Sequence, residues 1–405
     1  MKALLFEHNN PRYAAARVVS SVAHGKGVSV GPLRLVEMDT PPLPGPDWQV
    51  VRPALAGICG SDLATLDSRS SRYFESLVSF PFVPGHEVVG HLADATRVVV
   101  EAVLGCATRD ISPPCPACAV GDVGACTQVA FGHLRPGLQT GYCVDTGGAW
   151  SGALVAHDSQ IHPVPEAFSN EDAVMVEPVA CAIHAALSSG VADGDTVVVL
   201  GAGTLGLCVV AALRRLCLPG TLVSVAKHPT QHRLASELGA DVVVEPGELR
   251  RAVRRLTRSL AVGPEHGKGR LTGGADVVLD CVGSADAIAD SLAVVRPRGR
   301  VVLVGMPGKV RVDMAPLWQR EVALVGAYAY GREVLAPPAG ARRTFDLAFE
   351  LVRDAGLGRL VSARYPLERF EEAVAHAAAA GRRGSVKVVF DLEAGSRKSI
   401  ARRGL

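Results

Sequence analysis

Two short segments bounded by glycine carry residue types that commonly hold a metal ion. Residues 57–62 read GICGSD and residues 85–90 read GHEVVG. Glycine lets the backbone turn tightly and aim a neighbouring side chain at one point. Catalytic zinc usually has three protein ligands and one position open for water or substrate. Cys59 and His86 are therefore predicted to ligate a catalytic zinc, although each alone could also be an ordinary core residue.

A glycine-rich turn further along the chain predicts a dinucleotide site. Residues 197–207 read VVVLGAGTLGL, a strand followed by G-x-G-x-x-G and the start of a helix. Gly201 permits the tight turn, Gly203 lets a pyrophosphate approach the backbone, and Gly206 lets the helix pack on the strand. With Thr204 and Leu205 they place a helix N-terminus at the phosphates.

The end of the next strand bears on the choice of cofactor. An NAD site normally has Asp or Glu there to bind the ribose hydroxyls. Here Ala226 takes that place, and Lys227 and His228 follow. The missing carboxylate removes repulsion against a 2′-phosphate and the cation attracts it, which favours NADP. The alternative is a solvated Lys-His turn in an NAD enzyme that lacks the acid.

The pattern of predicted secondary structure changes near residue 170. Residues 1 to about 165 have short β-type runs between turn signals, which predicts an irregular antiparallel β domain. An extra loop or hairpin is expected over 14–31. From about 172, short apolar strands alternate with helices, which predicts a doubly wound parallel sheet in an α/β fold. A basic surface insertion is expected over 250–270, and a frayed tail after Leu392.

Composition limits the function classes. The chain has 405 residues, 48% hydrophobic, with net charge +2. Such a balance does not favour a nucleic-acid partner. No apolar run is long enough for a membrane span and no signal peptide is evident. The ten cysteines in a long chain without a signal indicate a reducing cytoplasm with metal ligands.

Taken together, the motifs resemble the zinc-dependent medium-chain dehydrogenase/reductase family, the alcohol, sorbitol and threonine dehydrogenase group. GICGSD, GHExxG, a cysteine lobe, a Glu-Pro pair and GxGxxG occur in family order along nearly the whole chain. The resemblance implies a GroES-like catalytic domain, residues 1–170 and 331–405, interrupted by a Rossmann cofactor domain, residues 171–330. It also implies an active site in the cleft and, as a rule, a homodimer or homotetramer, often paired through the last Rossmann strands.

The implied activity is zinc-dependent hydride transfer between NAD(P)(H) and an alcohol, aldehyde or ketone of small size. One alternative is zinc-independent NADPH-dependent reduction of an activated double bond or quinone. Another is a non-catalytic cofactor-binding protein on the same fold. Intact ligand positions argue against both alternatives.

The resemblance also implies a ligand set for the catalytic zinc. Cys59 and His86 match two family ligands, and Glu87 matches the family glutamate that ligates or approaches the metal. The Glu-Pro pair before the Rossmann unit makes Glu177 the expected third protein ligand, with Cys181 as its rival.

Proton transfer is implied to run through Ser61, which matches the hydroxyl that exchanges a proton with the substrate. Asp62 is expected to hold the second nitrogen of His86 and so fix the imidazole. The classical alcohol dehydrogenases place a histidine at the exit of the relay. The corresponding position here is Ala64, which leaves the exit open.

A structural zinc is the expected occupant of the cysteine lobe. Cys115, Cys118 and Cys126 match the last three family ligands, and four thiolates close such a site to chemistry. The usual first cysteine is replaced by Ser112. Cys106, six residues earlier, is expected to complete the site; the alternative is a vestigial lobe with free thiols.

Overall fold

The structure is a computed structural model, which describes residues 1–263, 269–335 and 340–394. The expected tail after Leu392 lies almost entirely outside the described residues. The chain divides into two compact units, Met1–Glu177 with Tyr330–Leu405, and Pro178–Ala329. Within the described part, no helix is both long and apolar enough to cross a lipid bilayer.

The first part of the chain supplies seven strands and five helices, and the last of these helices continues into the second unit. The strands are β1 (Lys2–Phe6), β2 (Leu33–Glu37), β3 (Trp48–Gly57), β4 (Val88–His91), β5 (Arg97–Val100), β6 (Leu154–His157) and β7 (Ile161–Pro163). The helices are α1 (Asn10–Val22), α2 (Gly60–Leu66), α3 (Pro116–Ala119), α4 (Asn170–Val174) and α5 (Val176–Ser188).

The middle of the chain alternates strands and helices. The strands are β8 (Thr196–Leu200), β9 (Thr221–Val225), β10 (Val242–Val244), β11 (Ala261–Val262), β12 (Arg270–Leu271), β13 (Ala275–Asp280), β14 (Val295–Leu303) and β15 (Ala323–Gly326). The helices are α6 (Thr204–Ala212), α7 (Pro229–Glu237), α8 (Leu249–Leu256), α9 (Ala285–Val294) and α10 (Ala315–Gln319).

The last part of the chain returns to the first unit. It contributes β16 (Arg332–Val334), β17 (Ala341–Arg343), α11 (Thr344–Ala355), β18 (Val361–Tyr365), α12 (Phe370–Ala378) and β19 (Lys387–Asp391). Strand β19 pairs antiparallel with β3, so residues some 330 positions apart become neighbours in one sheet.

The first unit is built on a largely antiparallel sheet of order β18-β19-β3-β4-β5-β7, with β6 also paired to β3. Only β18 and β19 run parallel within it. Its core contains large apolar side chains from distant segments, among them Phe6, Phe82, Trp150 and Phe390. The ring centroids of Trp150 and Phe390 lie 5.1 Å apart. The antiparallel β architecture is as the sequence indicates.

The second unit is a six-stranded sheet of order β10-β9-β8-β13-β14-β15, with every neighbouring pair parallel. This is the doubly wound order: the chain runs outward from β8 through β9 to β10, then returns to β13 on the other side of β8. The strands are apolar because helices cover both faces of such sheets. The antiparallel β part and the doubly wound α/β part that the sequence predicts are both present.

The expectation of a loop or hairpin over residues 14–31 is wrong. The segment folds as helix α1, followed by a short 3₁₀ turn over Gly27–Ser29. The Asn9 side chain accepts the backbone N–H of Arg12, which caps the helix, and Pro11 occupies its first turn. Ser20 in this helix donates to buried Asp67 at 2.7 Å. Asn9, whose side chain caps the helix, lies before residue 14, so the segment 14–31 does not include the residue that indicates a helix start.

The expected basic insertion over 250–270 is a helix in its first part. Residues 249–256 form α8, and β11 pairs antiparallel with β12. Residues 264–268 lie outside the described part of the chain.

Candidate catalytic metal centre

Cys59 lies where strand β3 passes into helix α2. It is the N-cap residue of α2, and the Asp62 carboxylate accepts its backbone N–H at 2.9 Å. This local bond fixes the turn because the first N–H groups of a helix lack partners within the helix. The sequence GICGSD thus sets the direction of the Cys59 side chain through its own Asp62.

His86 and Glu87 lie directly before strand β4 and are both buried. Gly85 has φ +99°, and a Cβ there would lie 2.4 Å from the Trp150 ring, so only glycine fits. One ligand atom each of Cys59, His86 and Glu87 lies within 4.8 Å of the others. The structure therefore brings Cys59 together with a pair of adjacent residues, His86 and Glu87, that lie up to 28 positions later in the sequence.

Glu87 is held by a buried lysine that sequence reasoning missed. Lys387 of β19 donates from Nζ to Glu87 Oε2, and to the Ile58 carbonyl at 3.2 Å. Both side chains are only 2% exposed. Gly57 makes room for this pair, because a Cβ there would collide with the Glu87 carboxylate. The available sequence signal was a lysine inside the otherwise apolar run VKVVF.

Glu177 is a second buried carboxylate close enough to interact with this cluster. It lies in the first turn of α5 and is 6% exposed. Burial is the main cause that raises the pKa of Glu177 to about 7; His86 opposes this rise and the Glu87 carboxylate adds to it. The side chain also hydrogen-bonds Tyr330. Glu177 is not among the three residues whose ligand atoms converge within 4.8 Å. Cys181 follows one helical turn later.

The donor set fits a zinc ion. A thiol, an imidazole and a carboxylate are the three ligand types that zinc prefers. Two buried carboxylates and a half-buried thiol lie here, with Lys387 as the neighbouring cation, and burying unbalanced negative charge is costly. Among the described residues, His86 Nδ1 is buried without a hydrogen bond. A divalent cation would supply the missing positive charge.

The residues predicted for proton transfer lie beside this cluster. Asp62 Oδ1 is 3.6 Å from His86 Nδ1, longer than a hydrogen bond but close enough to attract an imidazolium. Burial disfavours that cation, yet the Asp62 carboxylate raises the pKa of His86 well above its usual value. Ser61 is half-buried at the start of α2. Tyr142, another residue that sequence reasoning missed, donates to Asp62 Oδ1 at 3.3 Å.

The four predicted lobe cysteines form a separate cluster in the first unit. Ligand atoms of Cys106, Cys115, Cys118 and Cys126 lie within 4.8 Å of one another. Cys126 Sγ is 3.8 Å from Cys106 Sγ and 3.9 Å from Cys115 Sγ. A tetrahedron with zinc–sulfur bonds of about 2.3 Å has edges of about 3.8 Å.

Backbone N–H groups favour the thiolate form of Cys115, whereas burial raises the pKa of Cys118 and of Cys126. Burial alone would raise the pKa of Cys115, but the N–H groups of Cys118 and Thr127 outweigh it and lower the pKa to about 6. The N–H of Cys115 in turn points to Cys106 Sγ at 3.3 Å. The lobe therefore fits a closed zinc site, and Cys106 is part of it geometrically.

The glycine turn after β8 has the shape that a dinucleotide needs. Gly201 has φ +92°, and a Cβ on Gly206 would lie 1.8 Å from the Gly201 carbonyl. Both glycines are thus required by the turn itself. Gly203, the N-cap of α6, faces open space with nothing within 4 Å of a Cβ. Thr204 and Leu205 follow as the first two residues of the helix, whose N-terminus attracts phosphate.

The turn after β9 contains no carboxylate at the position that usually binds ribose. Ala226 is buried, Lys227 is exposed, and His228 is the N-cap of α7 without a side-chain hydrogen bond to the helix. The Lys227 backbone N–H donates to Gln231 at 3.3 Å. No ion pair or hydrogen bond of the Lys227 ammonium group is present among the described residues.

Comparisons with known proteins agree with this arrangement. Residues 45–166 match the alcohol dehydrogenase GroES-like domain, and residues 204–339 match the zinc-binding dehydrogenase domain. The chain is 27% identical to a sorbitol dehydrogenase of Arabidopsis thaliana over 87% of this chain and 90% of that protein. It is 29% identical to an L-threonine 3-dehydrogenase of Pyrococcus horikoshii over 69% of this chain and 74% of that protein.

A solved structure supports the cofactor class. The crystal structure of a zinc-binding dehydrogenase from Sinorhizobium meliloti 1021, bound to NADP, has a TM-score of 0.64 and 26% identity. The match covers 89% of this chain and 95% of that one.

Fold, donor set and comparisons define the class as a zinc-dependent, NAD(P)-linked oxidoreductase acting on alcohol or carbonyl groups. The chain belongs to the zinc-dependent medium-chain dehydrogenase/reductase family. The zinc-independent reductase and the non-catalytic protein are not favoured.

Proposed function

We propose that this chain oxidises a small secondary alcohol or polyol, or reduces the corresponding ketone, with NADP as hydride carrier. The observation that carries the proposal is the convergence of Cys59, His86 and the Glu87 carboxylate, with the buried Glu177 close enough to interact with His86 and Glu87. Similarity to the Arabidopsis sorbitol dehydrogenase supports a polyol-type substrate. Lys227 at a turn without a carboxylate supports NADP.

In this proposal, Cys59, His86 and Glu177 hold the zinc. Glu87 lies beside the zinc site and is held in place by its ion pair with Lys387. Bound zinc would lower the pKa of an alcohol or polarise a carbonyl, and the nicotinamide would carry the hydride. Ser61 takes or returns the alcohol proton, and Asp62 orients His86. Gly201, Gly203, Thr204, Leu205 and Gly206 bind the pyrophosphate through backbone N–H groups and the helix N-terminus.

The proposal places the protein in the cytoplasm as a homodimer. None of the ten cysteines, all of which lie among the described residues, is in a disulfide, which supports a reducing compartment. Strand β15 is at one end of the parallel sheet, and three of its four residues are exposed. Trp318, shortly before it, is 80% exposed. An apolar edge of this kind pairs readily with a second copy.

The test is a nicotinamide absorbance assay with the zinc-loaded chain. We expect turnover with sorbitol, 2,3-butanediol or a related alcohol, faster with NADP than with NAD. Cys59→Ala and His86→Ala should each abolish turnover and the catalytic zinc. Cys217→Ser, a matched change at a cysteine in the other unit, should leave both unchanged. Full turnover by Cys59→Ala would refute the zinc mechanism.

A further inference from the structure

Three turns meet at the carboxyl end of the parallel sheet in the second unit. They follow β8, β13 and β14, which are neighbours in the sheet. The middle turn, residues 281–283, is packed tightly between the other two. A Cβ on Gly201 would lie 2.6 Å from the Val282 side chain. On the other side, a Cβ on Gly283 would lie 2.6 Å from the Gly305 carbonyl oxygen. Doubly wound sheets bind their ligands at this edge.

Asp280, the last residue of β13, hydrogen-bonds the backbone of two of these turns. Its Oδ1 accepts the N–H groups of Val282 at 2.8 Å and Gly283 at 3.0 Å. Its backbone carbonyl accepts those of Val304 at 2.9 Å and Gly305 at 2.8 Å. One residue thus holds four N–H groups, two in its own turn and two directly after β14.

The Asp280 side chain uses only one of its two oxygens. The residue is fully buried, and among the described residues Oδ2 has no hydrogen-bond partner. Burial is the main cause that raises the pKa of Asp280 above its ordinary value, and the two N–H groups oppose this only in part. The turn therefore requires an acceptor oxygen at this position and gains nothing from a charge on the second oxygen.

Val282 is the residue of this turn that borders the dinucleotide site. Its side chain is half exposed although it is apolar, and it lies against Gly201 of the G-x-G-x-x-G turn. The preceding Cys281 donates its N–H to the Leu200 carbonyl at 2.9 Å, directly before Gly201. Backbone bonds on both sides of Val282 thus fix its place beside the dinucleotide turn.

Resting on the proposed use of a nicotinamide cofactor, we propose that Asp280 is a positioning residue that sets the place of Val282 at the dinucleotide turn and so strengthens cofactor binding. Asp280 itself is buried and does not touch the cofactor. Without its Oδ1, the N–H groups of Val282 and Gly283 lose their acceptor and the turn relaxes away from Gly201. The loss should fall on cofactor affinity and spare the zinc ligands, which belong to the first unit.

The test measures the binding of NADPH and of NADH to the zinc-loaded full chain by titration calorimetry, without any substrate. Asp280→Ala removes the acceptor oxygen, whereas Asp280→Asn keeps a carbonyl oxygen. Ser284→Ala is the matched control, because Ser284 caps α9 through the Ala287 N–H directly after this turn. Zinc content and urea denaturation are recorded for every variant.

We expect Asp280→Ala to raise the dissociation constant of the cofactor on the order of 10-fold, as the loss of one net hydrogen bond implies. Val282→Ala should weaken binding to a similar degree because it removes apolar contact area. Asp280→Ala should then have little further effect in a Val282→Ala background. Asp280→Asn and Ser284→Ala should bind the cofactor as the unaltered protein does, and zinc content should stay constant throughout.

Unchanged binding by Asp280→Ala, or an equal loss in Asp280→Asn, would overturn the proposal. Unchanged binding by Val282→Ala would overturn it even if Asp280→Ala folds poorly, and so would additive losses in the double variant. Those outcomes leave the proposed function standing, because the unaltered protein still binds the cofactor. Failure of the unaltered protein to bind either nicotinamide would instead overturn the proposed function, and the role of Asp280 with it.

Discussion

Lys387 and Glu87 form a buried ion pair beside the predicted zinc ligands. Both are nearly inaccessible, so each charge depends on the other for compensation. Removing one partner of a buried pair usually costs more than the pair contributes, since an unpaired charge is left in a poorly solvated site.

Lys387→Met is therefore expected to lower the free energy of unfolding of the zinc-free chain by about 3 kcal/mol. The measurement is urea denaturation in the presence of a chelator. The double variant Glu87→Gln with Lys387→Met leaves no unpaired charge and should recover much of that loss. Equal destabilisation of the single and double variants would show that the ion pair is not the cause.

Cys106 replaces the usual first ligand of the lobe, and its Sγ lies at a tetrahedral edge length from Cys126 Sγ. Cys106→Ser should reduce bound zinc from two ions per chain to one. It should also lower the melting temperature by roughly 5 °C, equivalent to about 2 kcal/mol in a unit of this size. Metal analysis and calorimetry measure both. Cys217→Ser should keep two zinc ions; two zinc ions in Cys106→Ser would exclude Cys106 as a ligand.

At this scale, the sequence predicts residues that lie in local motifs. Cys59 and His86 were identifiable because glycine turns surround each of them. Lys387 was not, because it reaches Glu87 across 300 positions through the pairing of β19 with β3. Tyr142 lies in an irregular segment, and only the folded chain shows its phenol beside Asp62.

Among the elements, the turn between β9 and α7 governs the cofactor prediction. A hydrogen bond to a charged group contributes about 1.5–3 kcal/mol. Lys227→Ala should therefore lower kcat/KM for NADP roughly 10- to 100-fold and leave that for NAD nearly unchanged. Steady-state kinetics with both cofactors measure this. Arg233→Ala removes a cation from the same helix that is already paired with Glu237. Arg233→Ala should therefore have little effect on kcat/KM for either cofactor. An equal loss of kcat/KM for NADP and NAD in Lys227→Ala would contradict the NADP assignment.

Element prediction succeeded where periodicity and turn signals agreed. The strands of the second unit are short apolar runs, as the alternation of strands and helices from about residue 172 predicts. Helix α1 was missed because Asn9, its cap, and Pro11 lie ahead of the segment treated as a loop. The buried hydrogen bond between Ser20 and Asp67 joins residues far apart in the sequence, so no local sequence pattern predicts it.

The whole molecule has an architecture that the sequence indicates well, because alternating apolar strands and helices leave few topologies for a parallel sheet. The two ends of that sheet differ. Strand β10 is partly buried, whereas β15 exposes Ala323, Val325 and Gly326. An exposed edge strand presents unpaired backbone groups to a second chain.

Pairing of β15 with its symmetry mate would produce a two-fold dimer, since the same strand would then form both sides of the interface. Val325→Lys places a charge on this edge and should convert the proposed dimer to a monomer, because charged side chains oppose edge-to-edge pairing. Sedimentation velocity measures the change. Val262→Lys, at another exposed valine of the same unit, should leave the dimer intact. A dimer that persists in Val325→Lys would place the interface elsewhere on the chain.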